Sequence, residues 1–401
     1  MFYTHSISKN NILMSIIYLK PDLDIKKLIL TFFKRNKLLK SNLSFFKSGR
    51  EALVYGLNCY GIDKESYILV PGYICNTIIE SLKINQYKIL FFDINKDFSI
   101  NINSIKNFLK KYKIKALLAV HYFGYITNIK EIKEICNMNN VLLIEDCCHN
   151  FLSQNNEKNI GFNGEITIYS FRKTIPVLIG GALRVKKDKK IRKYSIRNIT
   201  FSELIFISKK IILFIIKLIG YPNILYLNSK LIFKNSKNIL NKKISLIENK
   251  IIKPINPSFL SKTYLQDLKY HTETILKIQN NYRILRDNIN LKYIQPISDE
   301  ENLNEVLQFF IINSNDEELI KHLNKNKIEV MRWPGEDLPF EVKDNIEKFP
   351  NTNFLNKNIM LLPIHQGLDK EECLRISQIL NIYLSLKSNK NIKKVLNDRE
   401  K

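Results

Sequence analysis

Acidic residues are the scarce partner in this sequence: 38 Asp and Glu stand against 63 Lys and Arg, a formal net charge of +25. An acid deficit of that size points toward a nucleic-acid binder, a membrane surface or the steering of an anionic substrate. The basic residues, however, are scattered among abundant asparagine and isoleucine, the mix that an AT-rich coding sequence produces. No basic motif interleaved with aromatics is present, so no nucleic-acid partner is expected. Cysteine is sparse, with six in 401 residues, and none falls in a Cys-x-x-Cys pattern. That argues against zinc frameworks and structural disulfides, so the expectation is a reduced, cytoplasmic protein with no metal site. Cys147 and Cys148, adjacent at a strand end, are expected to point to opposite sides. The opening MFYTHSISKNN lacks the basic-then-apolar layout of a signal peptide. Long unbroken apolar runs are missing too. The nearest, Leu204 to Leu227, is interrupted by Lys209, Lys210 and Lys217, which argues against a transmembrane span. It reads as a helix packed in a dimer interface, with a weak peripheral membrane contact through 204–227 as the alternative.

What is present is an ordinary globular composition, 45% hydrophobic and 25% charged, long enough for a large core and two domains. The most informative stretch runs from Val141 to Val185. Two short apolar runs, Val141–Ile144 and Ile166–Tyr169, have the length and branching of buried strands. The first ends in Glu145, Asp146 and His149. The second ends in Ser170, Arg172 and Lys173, followed by Gly180–Gly181. Ligands of open α/β sheets collect at the carboxyl ends of the strands. An acid at one such end and a lysine at the next suit pyridoxal phosphate chemistry. There a lysine holds the aldehyde as a Schiff base and an acid keeps the pyridine nitrogen protonated.

Further strands are expected at Tyr67–Pro71, Ile89–Ile94, Ala116–Val120, Val306–Ile312, Glu329–Arg332 and Ile359–Pro363. Helices are expected at Asp24–Leu39, Ala52–Leu57, Ser104–Tyr112, Ile129–Asn137, Tyr264–Arg286 and Asp369–Leu384. The alternation is that of βαβ units and a mostly parallel sheet. Ser48 with Glu51 three residues later forms a capping box, and the same loop offers free N–H groups and a positive helix end to a phosphate.

Several segments together resemble the DegT/DnrJ/StrS family of pyridoxal phosphate-dependent aminotransferases, which act mostly on nucleotide-linked keto-sugars. They are Phe46–Leu53 (FKSGREAL), Val70–Thr77 (VPGYICNT), Val120–Gly124 (VHYFG), Ile144–His149 (IEDCCH), Ser170–Leu183 and Leu361–Leu368 (LLPIHQGL). The resemblance implies an α/β, fold type I architecture. A large domain would carry a mostly parallel seven-stranded sheet, and a smaller C-terminal α/β domain would follow. The division is residues 1–255, with an N-terminal arm and an atypical apolar insert at 200–255, then 256–386, then a basic and solvated tail at 387–401. Two departures stand out. Two residues are missing between Phe171 and Lys173, and the arginine of the family's NYRMS segment is absent near Ser258 and Phe259.

By the same resemblance, Lys173 is the catalytic lysine and Asp146 faces the pyridine nitrogen. His149 lies at the cofactor's phenolic side. Gly49, Arg50 and Ser170 hold the phosphate, and Arg50 stands where the family usually has threonine. Tyr73 is the candidate for stacking on the ring, with Cys75 or Asn76 in its place, or a core role for Tyr73, as alternatives. Trp333 and His365 are candidate substrate residues, Trp333 being equally suited to the core. The implied reaction moves an amino group from an amino acid, glutamate by expectation, to a keto group of a nucleotide-activated sugar destined for a surface polysaccharide. The active unit is expected to be a homodimer. The alternatives are other pyridoxal phosphate chemistry, or a degenerate relative associated with membranes.

Overall fold

A computed structural model of the chain describes residues 17–19, 39–152, 160–177, 180–186, 192–194, 201, 204–205, 207–208, 211–212, 252–257, 259–290 and 306–399. Its strands are β1 (Leu39–Ser41), β2 (Ser44–Phe46), β3 (Tyr67–Pro71), β4 (Lys88–Phe92), β5 (Ile114–Val120), β6 (Leu142–Asp146), β7 (Ile166–Ser170), β8 (Gly181–Val185), β9 (Arg192–Tyr194), β10 (Phe309–Asn313) and β11 (Ile359–Pro363). One sheet has seven strands in the order β2-β8-β7-β6-β5-β3-β4. β3 to β7 are mutually parallel, while β8 runs antiparallel to both β7 and β2. The parallel strands read YILVP, KILFF, IKALLAV, LLIED and ITIYS. Near-continuous apolar runs of this kind suit strands covered on both faces, where no polar face can alternate.

Helices supply that cover. α1 (Gly49–Cys59) precedes β3, and α2 (Asn76–Ile84), α3 (Ile102–Lys111) and α4 (Ile129–Met138) link β3 to β6 in turn. α4 shows why they dock: Ile129, Ile132, Ile135 and Cys136 share one face and are buried, while Lys130, Glu131 and Glu134 face outward. α1 starts as its capping box predicts. The Ser48 hydroxyl accepts from the Glu51 N–H at 3.4 Å, and the Glu51 carboxylate reaches back to the Lys47 N–H at 3.3 Å. A second layer holds the antiparallel pair β10–β11 with α5 (Phe259–Gln266), α6 (Leu268–Asn288), α7 (Glu317–Lys325), α8 (Pro350–Asn358) and α9 (Lys370–Arg399). β1 pairs with β9 apart from both sheets.

Some expectations change. Residues 329–332 form no strand; around them only isolated bridges occur, Ile17 with Ile328 and Met331 with Leu361. The helix expected over Tyr264–Arg286 is two, because Asp267 turns its carboxylate onto the Tyr270 N–H at 3.0 Å and caps a new helix there. The basic tail is helical as far as Arg399 as part of α9, and Lys387 pairs with Asp316 at 2.6 Å. The helix expected over 24–39 lies outside the described residues except for Leu39, which begins β1. Of the apolar run 204–227, only six residues are described. Ile207 is buried, whereas Leu204, Ile205, Ile211 and Ile212 are exposed. Among the described residues, no helix is long and apolar enough to cross a membrane. Cys147 and Cys148 fall into two different hydrophobic clusters, as expected of neighbours at a strand end.

One close approach fixes how α1 meets the sheet. A Cβ on Gly181 would lie 2.1 Å from the Ser48 carbonyl carbon and 2.6 Å from the Gly49 nitrogen. Because these atoms are backbone, they cannot rotate away. Gly181→Ala is therefore expected to displace the start of α1 and to lower the unfolding free energy by about 1–3 kcal/mol. Urea denaturation measures this, and an unchanged midpoint would refute the contact.

Candidate active site

The register aligns the carboxyl ends of three neighbouring strands. Val120 of β5 pairs with Asp146 of β6, Asp146 with Ile168 of β7, and Ser170 of β7 with Gly181 of β8. The chain order reverses between β3 and β5, so a crevice opens at these ends. The HYFG segment leaves β5 here. Gly124 has φ 110, and a Cβ there would lie 2.5 Å from the Val306 carbonyl oxygen, so glycine lets residues 306–307 cross close to the strand end.

Glu145 and Asp146 leave β6 toward opposite faces. Asp146 is buried and accepts the Cys148 N–H at 2.8 Å. Glu145 is fully buried on the other face. It lies 3.3 Å from His121 Nε2 and accepts the N–H groups of Gly161, at 2.9 Å, and Gly164. Burial pushes its carboxyl up, but the His121 side chain and the two glycine N–H groups outweigh that and hold it below the usual range. Cys147 completes a compact trio with His121 and Glu145. The trio is turned on itself. His121 Nδ1 accepts the Thr127 N–H at 3.4 Å, which leaves the ring proton on Nε2, toward Glu145. Burial, then the Glu145 charge, pushes the Cys147 thiol well up. His121 is thus a structural strand-end histidine.

Lys173 closes the 3-10 turn Phe171–Lys173 that follows β7. Its Nζ lies 2.7 Å from His149 Nε2. His149 Nδ1 accepts the Phe123 N–H at 3.2 Å, the tautomer in which Nε2–H can donate to an unprotonated lysine amine. The imidazole is stacked on Phe123, with ring centroids 5.1 Å apart and planes 10° apart. From the second layer, Gln308 donates Nε2–H to the Lys173 carbonyl at 2.6 Å, and its backbone N–H to the Phe123 carbonyl, also at 2.6 Å. Gln366 donates to the Thr174 carbonyl at 3.2 Å. The lysine turn is therefore held from both layers.

The start of α1 packs closely beside this turn. A Cβ on Gly49 would lie 3.0 Å from Cys148 Sγ and 3.9 Å from the Ser170 Cβ. Ser170 is buried, and its hydroxyl has no hydrogen-bond partner among the described residues. Arg50 follows Gly49 in the first turn of α1.

Lys173 and His149 line one cavity, while Ser170 packs against Gly49 at the start of α1 and Asp146 ends the neighbouring strand. Tyr73 does not open onto that cavity. Its ring is wholly buried, 6.2 Å from Phe98 in a stacked pair, and its hydroxyl donates to the Trp333 carbonyl. Tyr73 takes the core-aromatic alternative. Trp333 packs with its ring edge-on to both Tyr73 and His149. His365 lines the cavity that also holds Lys173, His149, Gln308 and Gln366, but both of its nitrogens are engaged by backbone, with the Tyr18 carbonyl at 2.9 Å and the Gly367 N–H at 3.1 Å. Sequence reasoning missed Phe123 as the partner of His149, and Gln308 and Gln366 as braces of the turn. Their donors and acceptors lie far apart along the chain, and only the HYFG motif, for Phe123, and the LLPIHQGL motif, for Gln366, gave a signal. Cys75, the other ring candidate, is half-buried and starts α2, with its sulfur 3.3 Å from the Thr77 hydroxyl.

Residues 41–202 match the DegT/DnrJ/EryC1/StrS aminotransferase family. The GDP-perosamine synthase of Escherichia coli O157:H7 is 29% identical over 145 residues, 35% of this chain and 39% of that protein. The match therefore spans well under half the length of that relative. Among solved structures, Helicobacter pylori PseC, an aminotransferase in pseudoaminic acid biosynthesis, superposes with a TM-score of 0.63 at 14% identity, over 93% of this chain and 100% of that one. NtdA of Bacillus subtilis, solved with its cofactor PMP, gives 0.59 at 18% identity over 89% and 75%. The shared fold is that of the fold type I aminotransferases.

The Glu145 environment predicts an acid-labile contribution to stability. The folded carboxyl lies below its ordinary value of 4.5, so the contribution is fully present above about pH 4.5 and is lost as pH falls through the folded value. Glu145→Gln should cost about 1–3 kcal/mol at pH 7, and the gap to the wild type should narrow in acid. Urea unfolding across pH checks this; parallel profiles would show that Glu145 carries no such linkage.

Proposed function

We propose, on the premise that residues 41–202 belong to the DegT/DnrJ/EryC1/StrS aminotransferase family, that the protein is a pyridoxal phosphate-dependent aminotransferase. Its reaction moves an amino group from an amino acid, glutamate in our reading, to a keto group of a nucleotide-activated sugar. The observation that carries this is Lys173, braced with its Nζ at His149 in the crevice where Asp146 and Ser170 end their strands.

The residues present fit the cofactor. Gly49 lets the start of α1 pack closely against Cys148 and Tyr169 and near Ser170, whose hydroxyl has no hydrogen-bond partner among the described residues. Gly49, Arg50 and Ser170 would hold the phosphate, with backbone N–H groups and the helix dipole favouring negative charge. Asp146, buried at the end of β6, would keep the pyridine nitrogen protonated. When bound, pyridoxal phosphate supplies an aldehyde for covalent attachment and a ring that accepts electrons from the substrate carbon. Lys173 would hold that aldehyde, and its amine would serve as the base that moves the proton. His149 orients it, because its Nε2–H is fixed by the Phe123 contact on the other nitrogen. Trp333, edge-on to His149, and His365, on the same cavity wall, border the space left for substrate.

The sugar reading is supported by the names of the relatives, a GDP-perosamine synthase and an aminotransferase of pseudoaminic acid biosynthesis. Six free cysteines fit a reducing, cytoplasmic setting. The exposed Leu204, Ile205, Ile211 and Ile212 support a homodimer in which a second copy covers them. Sedimentation of the pure protein as a monomer would remove that part of the proposal.

The chemistry has a direct test. Borohydride treatment of the protein loaded with pyridoxal phosphate should fix the cofactor on Lys173, and Lys173→Ala should abolish the adduct. A label mapping to another lysine would defeat the assignment. Asp146→Asn should still bind cofactor but slow the half-reaction with glutamate by at least about a hundredfold, roughly 2.7 kcal/mol in barrier. A variant within a few-fold of the wild type would remove Asp146 from the mechanism.

A further inference from the structure

Two glutamines of the second layer grip the lysine turn in the same way. Gln308 gives an Nε2–H to the Lys173 carbonyl at 2.6 Å. Gln366 gives its own to the Thr174 carbonyl at 3.2 Å and to the Tyr270 hydroxyl at 3.0 Å. The donor end of each amide is thereby engaged. The acceptor end is not: Oε1 of Gln308 and Oε1 of Gln366 are sealed from bulk solvent and accept no hydrogen bond among the described residues. The Thr174 hydroxyl, on the same turn, is buried and equally without a partner among them. All three residues line one small cavity, together with Lys173 and His149. Leu19, Leu152 and Ile278 on its other walls are apolar, and His365 has both nitrogens engaged by backbone. A buried oxygen without a donor carries a free-energy penalty, and native folds rarely leave one so. Three of them around one cavity imply a shared partner. The cavity has room for about one water molecule. No carboxylate among the described residues lines it, so a cation there would lack a compensating charge, whereas water needs only neutral partners.

We propose that this cavity is the binding site of one resident water, which donates to the amide oxygens of Gln308 and Gln366 and accepts from the Thr174 hydroxyl. The count closes: two donors of the water meet two acceptors, and one lone pair meets one donor. Each glutamine then holds the turn twice, once directly through its Nε2–H and once through the water. Thr174 completes the link from the turn itself. The water is thus a positioning element for the segment that carries Lys173. It concerns the turn alone, so it stands whether or not the aminotransferase reading does.

The test uses the full-length protein with Thr174→Val, which removes the hydroxyl at nearly constant shape, and Thr174→Ser, which keeps it. The sign of the stability change is diagnostic. If the hydroxyl is bonded to a resident water, Thr174→Val loses that bond and unsettles the water, so the urea midpoint falls. If the hydroxyl has no partner, Thr174→Val removes a buried unpaired group and the midpoint holds or rises, which overturns the proposal. Oxygen-17 relaxation dispersion of the solvent counts waters of long residence. The wild type and Thr174→Ser should each hold one more than Thr174→Val, and equal counts in all three would overturn the site. A crystal structure of the wild type should show a water within about 3.2 Å of all three oxygens. A dry cavity would sink the idea, and so would a peak that appears only with sodium or potassium in the buffer, because the ligand would then be a cation. Should Thr174→Val fail to fold, the wild-type crystal structure decides alone.

Discussion

The contact between Gly181 and the Ser48 backbone decides where α1 can begin, and the crevice follows from it. Gly181 pairs with Ser170 across β8 and β7. With no side chain at Gly181, the Ser48–Gly49 peptide lies against that strand pair. The free N–H groups at the start of α1 therefore arrive beside Ser170, two and three residues before Arg172 and Lys173. Steric fit comes first and electrostatics second: the positive helix end is useful only because backbone can approach backbone at this point.

The same logic separates what the sequence discloses from what it hides. Parallel strands covered on both faces must be apolar throughout, so β3 to β7 are readable within a residue or two. The box around Ser48 and Glu51 is local, and it starts α1 where the pattern places it. Sequence pattern gives little for β2, which has three residues, or for the antiparallel turn-back of β8, whose first residue is glycine. Residues 329–332 look like a strand by composition, yet no neighbour lies alongside to pair with them beyond single bridges. Asp267 ends one helix and starts another through its own side chain, a choice that apolar periodicity does not register.

The candidate site divides similarly. Its strand-end residues, Asp146, Ser170 and Lys173, lie in short motifs and are found by position. Tyr73 was the plausible ring by the same reasoning, but the packing of Phe98, Tyr122 and Trp333 around it leaves no face open. The braces of the lysine turn come from elsewhere. Gln308 lies 135 residues from Lys173, and no local pattern can announce a hydrogen bond across that distance.

Those braces close a circuit. Phe123 gives its N–H to His149, His149 meets the Lys173 nitrogen, Gln308 takes the Lys173 carbonyl, and the Gln308 N–H returns to the Phe123 carbonyl. A lysine at the end of four rotatable bonds ordinarily samples many rotamers, and ordering it costs up to about 2 kcal/mol. Inside a closed circuit much of that freedom is surrendered when the chain folds. The Lys173 amine is then held in place by the fold itself, and the cost is met once, in its stability.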